Sequence, residues 1–347
     1  MRHIAGVLIY WGLLGTGAIF GQATAVVGAG YSSPGGIRVA PGQITTFFVS
    51  GLVIDPAQGL SATSLPLPRS LAGVSVIINQ LTPKQSFAVP LLSVQQFNIC
   101  SVPASAPMQL DCQMTAITVQ IPYELAAPVA STGPVSEAGL IIQGKTGPSQ
   151  SFTIFLIGDN LHVLNSCDSF PLKSNLSGSP SVCGSIVTHA DGTLITADSP
   201  GKAGEEIVLY AYGLGQTAPA VITGSATPAP APVLAYNSLT PHDVIIQFDF
   251  HPNAGTTPPY YDAAHIDGRP RVLFNGLTPG QVGLYQVNIK LPDVFPAVPG
   301  CLLTQTPQQL NRVLSNLTIN IQPGISLDSA AICVEPPQIP PGSQVLR

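Results

Sequence analysis

Charge is what this chain most conspicuously lacks. Only 8% of its 347 residues are Asp, Glu, Lys or Arg, where a globular protein ordinarily carries about a quarter. The net charge is -5 and no cluster of Lys or Arg exists, so a phosphate backbone finds no electrostatic footprint and nucleic acid is argued against as a partner. Also missing are G-x-S-x-G, H-E-x-x-H and any pair of cysteines at C-x-x-C spacing, the local signatures of serine hydrolases, zinc hydrolases and zinc ribbons. His162, His189 and His242 stand alone beside Leu161, Thr188 and Pro241. Glu205 and Glu206 are adjacent, so along a strand they face opposite sides and cannot form a carboxylate pair. These absences lead to the expectation of a non-enzymatic protein with no cofactor and no metal centre. Beyond residue 20 no apolar run combines the length and freedom from proline needed to span a bilayer.

What the chain has in quantity is proline (35) and glycine (34), scattered between apolar runs, a pattern that fits many short strands joined by turns. The stretch from Arg271 to Pro292 states the pattern most fully. Val272 to Phe274 is apolar, Thr278-Pro-Gly280 turns, and Tyr285, Val287, Ile289 and Leu291 alternate with Gln286, Asn288 and Lys290. A period of two gives one buried and one wet face. The expected fold is all-β, as two tandem immunoglobulin-like β-sandwich domains after an N-terminal signal peptide.

Met1-Arg-His3, the apolar stretch Ile4 to Phe20 and the small residues Ala23-Thr-Ala25 follow the order of an export signal with its cleavage site. An uncleaved membrane anchor is the rival reading, since the run is near the lower length limit for a span. An exported chain meets an oxidising compartment, which accounts for six cysteines. Six allow fifteen pairings, but spacing suggests neighbours: Cys100 with Cys112, Cys167 with Cys183, Cys301 with Cys333.

The chain is written twice. Pro41-Gly-Gln43 and Ile44 to Val49 return as Ala203-Gly-Glu205 and Ile207 to Tyr212, with Gly204 answering Gly42 at an offset of 162. Val74 to Asn79 matches Val244 to Asp249, and Ile117 to Pro122 matches Val287 to Pro292, both at 170. Ser151 to Leu156 matches Ser329 to Val334 at 178. Four phrases in one order at nearly one spacing amount to an internal duplication. Leu91 would match Val272 at 181, so the first copy has an insertion bracketed by Cys100 and Cys112, and the longer second copy has Cys301 in its extra loop. The resulting division is a signal peptide over 1–25, sandwich one over 26–156, sandwich two over 157–335 and a Pro-rich tail over 336–347. Residues 26–38 read as a Gly/Ser-rich approach, and Asp191-Gly192 marks a hairpin leading into the second sandwich.

On Gly204 to Gly215, Thr223 to Pro228 and the phrase GLTPGQVGLYQVNIKLP, residues about 160–334 resemble a paralogous family of uncharacterised C-terminal domains in acidobacterial exported proteins, of Solibacter type. Pro41 to Leu52, Leu71 to Val76 and Val119 to Leu125 are similar to the preceding unit in the same proteins. The resemblance implies immunoglobulin-like sandwiches and an envelope or extracellular location, and it implies no activity.

Two constellations remain. Gly139 to Thr146 satisfies the phosphate-loop pattern G-x-x-x-x-G-K-S/T, but its interior is Leu-Ile-Ile-Gln and no helix follows, so it reads as a strand ending in a glycine turn. Asp249, His251, Tyr260, Tyr261, Asp262, His265 and Asp267 form the one concentration of carboxylates and imidazoles in the sequence, with two aromatics between them. They read as a polar loop closing at Asp267-Gly268, or as ligands for a cation or a sugar. The expected role is an exported structural or interaction module at the cell envelope, with a protein or glycan partner; the alternative is a carbohydrate-binding protein using the 251–268 loop. Nothing in the sequence sets an oligomeric state.

Overall fold

The computed structural model describes residues 24–30, 36–56, 59–98, 113–127, 136–145, 147–166, 168, 184–235, 244–255, 271–301 and 313–337. These are all-β, with no α-helix among them, in four sheets that pair into two sandwiches.

In the first sandwich, one sheet carries β1 (Ala25–Ala29), β3 (Ile44–Ser50), β8 (Gln113–Gln120), β7 (Leu91–Asn98) and β4 (Leu60–Ser61), in that order. The facing sheet runs β2 (Arg38–Val39), β11 (Phe152–Leu156), β9 (Ser136–Gly144), β5 (Ser75–Gln80) and β6 (Gln85–Val89), with β10 (Gly147–Pro148) folded back on β9. Alternate residues of both sheets meet between them: Phe47, Val49, Ile117 and Val119 from one, Val76, Ile78, Leu140, Ile142 and Ile154 from the other. All are fully buried, which is the packing of two aligned amphipathic sheets. Residues 25–29 are therefore a strand and not an approach segment. Val26 and Ala29 reach the core despite the intervening Gly28, because a bulge between Val26 and Gly28 re-aims the chain.

In the second sandwich, the order is β12 (His162–Val163), β14 (Glu206–Tyr212), β19 (Tyr285–Lys290), β18 (Arg271–Leu277), β16 (Val233–Leu234) and β15 (Thr217–Ala218), with β13 (Val187–His189) also on β14. The facing sheet is β17 (Ile245–Asp249), β20 (Leu317–Gln322) and β21 (Asp328–Ile332). Tyr285, Val287 and Ile289 are buried while Gln286, Asn288 and Lys290 are only partly covered, as a period of two requires.

The duplication reaches individual pairings. The order β3-β8-β7-β4 recurs as β14-β19-β18-β16, and β11-β9-β5 recurs as β21-β20-β17. Ile44 opposite Gln120 becomes Glu206 opposite Lys290. The bulge between Leu91 and Ser93 recurs between Val272 and Phe274. Even the parallel contact of Leu156 with Val39 returns, as Val334 with Gly201. A bulge is an extra residue tolerated at one place in a ladder, so its recurrence at matching positions ties the two copies more closely than strand order alone.

Candidate functional site

The two sandwiches meet end to end, and the linker that joins them is hydrogen-bonded along its length. The Ile157 N–H donates to the Val39 carbonyl and the Asn160 N–H to the Gly213 carbonyl. The Asn160 side-chain amide donates to the Arg38 carbonyl at 2.9 Å and to Gln43 Oε1 at 3.2 Å. Asp159 is buried, and its carboxylate accepts the N–H groups of Ile325 and Ser326 and the Ser326 hydroxyl. Gly213 stands at φ 78, where a Cβ would lie 2.1 Å from the Asn160 carbonyl oxygen. Only glycine lets the linker approach so closely.

Side chains complete the junction. Thr223 Oγ1 accepts the Tyr123 N–H at 2.9 Å and donates to Glu124 at 2.6 Å. Gln120 Oε1 accepts the Gly224 N–H at 2.6 Å, and the Gly224 carbonyl accepts the Leu67 N–H at 2.7 Å. Tyr123, from the first sandwich, is counted into the core of the second beside Tyr285 and Leu161. It fits there because Gly42, at φ 77, leaves the space its ring fills; a Cβ would sit 2.0 Å from the ring. The Tyr285 hydroxyl donates to the Gly215 carbonyl, while the nearby Tyr123 hydroxyl makes no well-formed hydrogen bond. Burial pushes Tyr123 up to about 12 and holds Tyr285 well above the usual phenol range, so both are neutral. Beside them lies a cleft of about 150 Å³ lined by Tyr123, Gln216, Thr217, Ala220 and Val221.

Of the residues singled out in the sequence, Cys301 and Cys333 are joined in a disulfide with a Cα separation of 5.8 Å. Cys100, Cys112, Cys167 and Cys183 lie outside the described residues, as do Tyr260, Tyr261, Asp262, His265 and Asp267. Asp249 ends β17, and His251, 77% exposed, bonds to its Oδ1 through both Nδ1 at 2.6 Å and its own N–H at 2.9 Å. That is a local turn stabilised by its own side chain. No group of three or more metal-ligating side chains is assembled among the described residues. The phosphate-loop pattern falls on β9, and Lys145 at its end pairs with Asp55 at 2.5 Å.

Two histidines that stand alone in the sequence do not stand alone in the structure. His162 reaches Asp168 at 2.8 Å through Nε2 and Asp328 at 3.5 Å through Nδ1, linking β12 to β21 across the edge of the second sandwich. Burial opposes its charge, but hydrogen bonds to the two carboxylates outweigh that and raise it to about 9. A histidine that binds its proton more tightly when folded stabilises the fold fully below about pH 6.5, its unfolded value. The contribution is then lost as pH climbs to about 9. Urea titrations should show stability falling by about 2 kcal/mol across that window, with the fall abolished in His162→Gln. An unchanged slope in the variant would refute the assignment.

His189 lies opposite Ile207 in the β13–β14 pair, so Glu205, two residues earlier on the neighbouring strand, shares its face. Glu205 Oε1 meets His189 Nδ1 at 2.5 Å, and Glu205 Oε2 accepts the Lys202 N–H at 2.7 Å. On the other side, His189 Nε2 lies 3.1 Å from the Ser199 hydroxyl and 3.2 Å from the Ser199 carbonyl. The Glu205 hydrogen bond, chiefly, raises His189 above its ordinary value. Sixteen residues separate His189 from Glu205 and no short motif spans them; only the strand register brings them together.

The fold defines a tandem all-β sandwich protein. No protein-family model and no curated protein matches the chain. Among solved structures it is similar to FdeC, titled a novel broadly conserved Escherichia coli adhesin eliciting protection against urinary tract infections, at 8% identity and TM-score 0.19, over 86% of this chain and 61% of that one. It is also similar to surface layer protein SbsC, domains 4-9, at 11% identity and TM-score 0.23, over 90% of this chain and 31% of that one. A third is the C-terminal domain of the Streptococcus agalactiae AgI/II polypeptide BspA, at 10% identity and TM-score 0.18, over 87% of this chain and 95% of that one. Superpositions this loose carry no functional argument, and the fold rests on the chain's own sheets.

Proposed function

We propose that the protein is an exported, non-enzymatic structural and interaction module, held at the cell envelope or outside the cell, and related to the acidobacterial exported proteins its second half resembles. The observation that carries this reading is the junction. A side chain of one sandwich seated in the core of the other, together with a bonded linker, makes a stiff two-unit spacer whose remaining loops are free to meet a partner. The Cys301–Cys333 disulfide supports an oxidising compartment, because cytosolic reductants keep thiols open. Loop 251–268 is the proposed contact region, anchored at its start by the Asp249–His251 turn.

Two experiments test the reading. Fractionation of cells producing the tagged full chain should place it outside the cytoplasm with Cys301 and Cys333 oxidised; a cytosolic, fully reduced protein would refute export. Pull-down from envelope extract should lose its captured partners when 251–268 is deleted. Retention of the same partners would remove that loop as the contact region.

A further inference from the structure

We propose that Ser199, backed by His189 and Glu205, is a nucleophile that accepts an acyl group once from an activated ester, a covalent attachment point and not a turnover site. The three side chains form a chain of contacts, hydroxyl to imidazole at 3.1 Å and imidazole to carboxylate at 2.5 Å. The far carboxylate oxygen is held by the Lys202 N–H. Nucleophile, base and orienting acid are thus within hydrogen-bond reach in the order nucleophilic catalysis needs. Ser199 is exposed, so an electrophile can approach it, while His189 and Glu205 are 12% and 23% exposed in their side chains.

In the step itself, Ser199 Oγ bonds to the ester carbonyl carbon as its proton passes to His189 Nε2. The bond from that carbon to the leaving alcohol oxygen then breaks, and the imidazolium returns the proton to the departing alkoxide. This requires Nε2 unprotonated. Glu205 and Asp191 both favour the imidazolium, in which Nε2–H donates to the Ser199 carbonyl instead. Acidic conditions therefore hold a closed clamp, and alkaline conditions free Nε2 to accept from the hydroxyl.

What is missing explains why the group would stay attached. The residue after the serine is Pro200, which has no N–H. The Ser199 N–H is spent on Thr196 Oγ1 and the Gly201 N–H on the Cys333 carbonyl. An oxyanion donor is worth about 10²–10³ in rate, and its loss slows deacylation as well as acylation.

The intact, disulfide-bonded protein should be treated with an alkyne-tagged fluorophosphonate, whose phosphorus bonds to Oγ as fluoride leaves, at a series of pH values, and the adduct mapped by peptide mass spectrometry. The label is expected on Ser199, rising with pH above the histidine's titration, absent in Ser199→Ala and about 10²-fold slower in His189→Gln. Glu205→Gln should move the pH midpoint downward, a readout that mere misfolding would not give. With p-nitrophenyl acetate, a burst of one equivalent without turnover is expected. No label on the wild type at any pH, equal label in Ser199→Ala, or sustained turnover would each overturn the proposal.

Discussion

Tyr285→Ala is expected to destabilise the second sandwich by about 3–5 kcal/mol in denaturant titration, the range for emptying a buried aromatic site. Tyr285 is fully buried, sits in an interior strand of its sheet, and shares the core with Tyr123 of the other sandwich. Its loss opens a cavity walled by strands that cannot collapse inward, and it strands the Gly215 carbonyl that the phenol now satisfies, at a further cost of about 1–3 kcal/mol. Tyr285→Phe separates the two effects, because it keeps the ring and removes only the hydroxyl. A loss under about 0.5 kcal/mol for the alanine variant, the size of an ordinary surface change, would mean that the ring is not in the core. The junction should feel the same substitution: Tyr123 loses its neighbour, so protease sensitivity at residues 157–161 should rise together with the loss of stability.

Replacing Cys301 and Cys333 together by serine is expected to cost about 3–4 kcal/mol, from the chain entropy restored to a closed loop whose sequence separation is 32 residues. The bridge ties the segment after β19 to the end of β21, close to where Gly201 meets Val334. Hydrogen bonds hold the same region: the Asn316 side chain donates to the Pro299 and Val334 carbonyls and accepts the Val334 N–H, and the Gly201 N–H donates to the carbonyl of the buried Cys333, so the bridge acts mainly by constraining the unfolded chain. Chemical reduction of the wild type should reproduce the loss. Equal midpoints for oxidised and reduced protein would show that the crosslink constrains nothing of consequence.

How much of this could be read from the amino acids depends on the range of the interaction. Tyr285, Val287 and Ile289 declare their buried face because side chains of a strand alternate, and alternation is visible in any six residues. The duplication is visible for the same reason, since strand phrases such as Ile117 to Pro122 and Val287 to Pro292 keep their order and spacing. β1 escapes notice because Gly28 interrupts its few apolar residues and Gly30 follows them, and its pairing is fixed by β3 and not by its own composition. Tyr123 gives no local sign that it belongs to the other sandwich's core. The partner surface that receives it, around Thr223 and Gly224, is 100 residues away in sequence from the Tyr123 N–H it binds. The histidines fail in a similar way: Asp328 reaches His162 and Glu205 reaches His189 through sheet packing and register, which single-sequence periodicity does not encode, while Asp168, six residues after His162, is a neighbour along the chain.

Backbone amide spin relaxation, measured by NMR on the oxidised full chain, addresses the docked pair most directly. Amides in β3, β8 and β9 and amides in β14, β19 and β20 should report one common tumbling time, that of a single 35.9 kDa body. Two distinct, shorter times, one for each sandwich, would contradict a rigid junction.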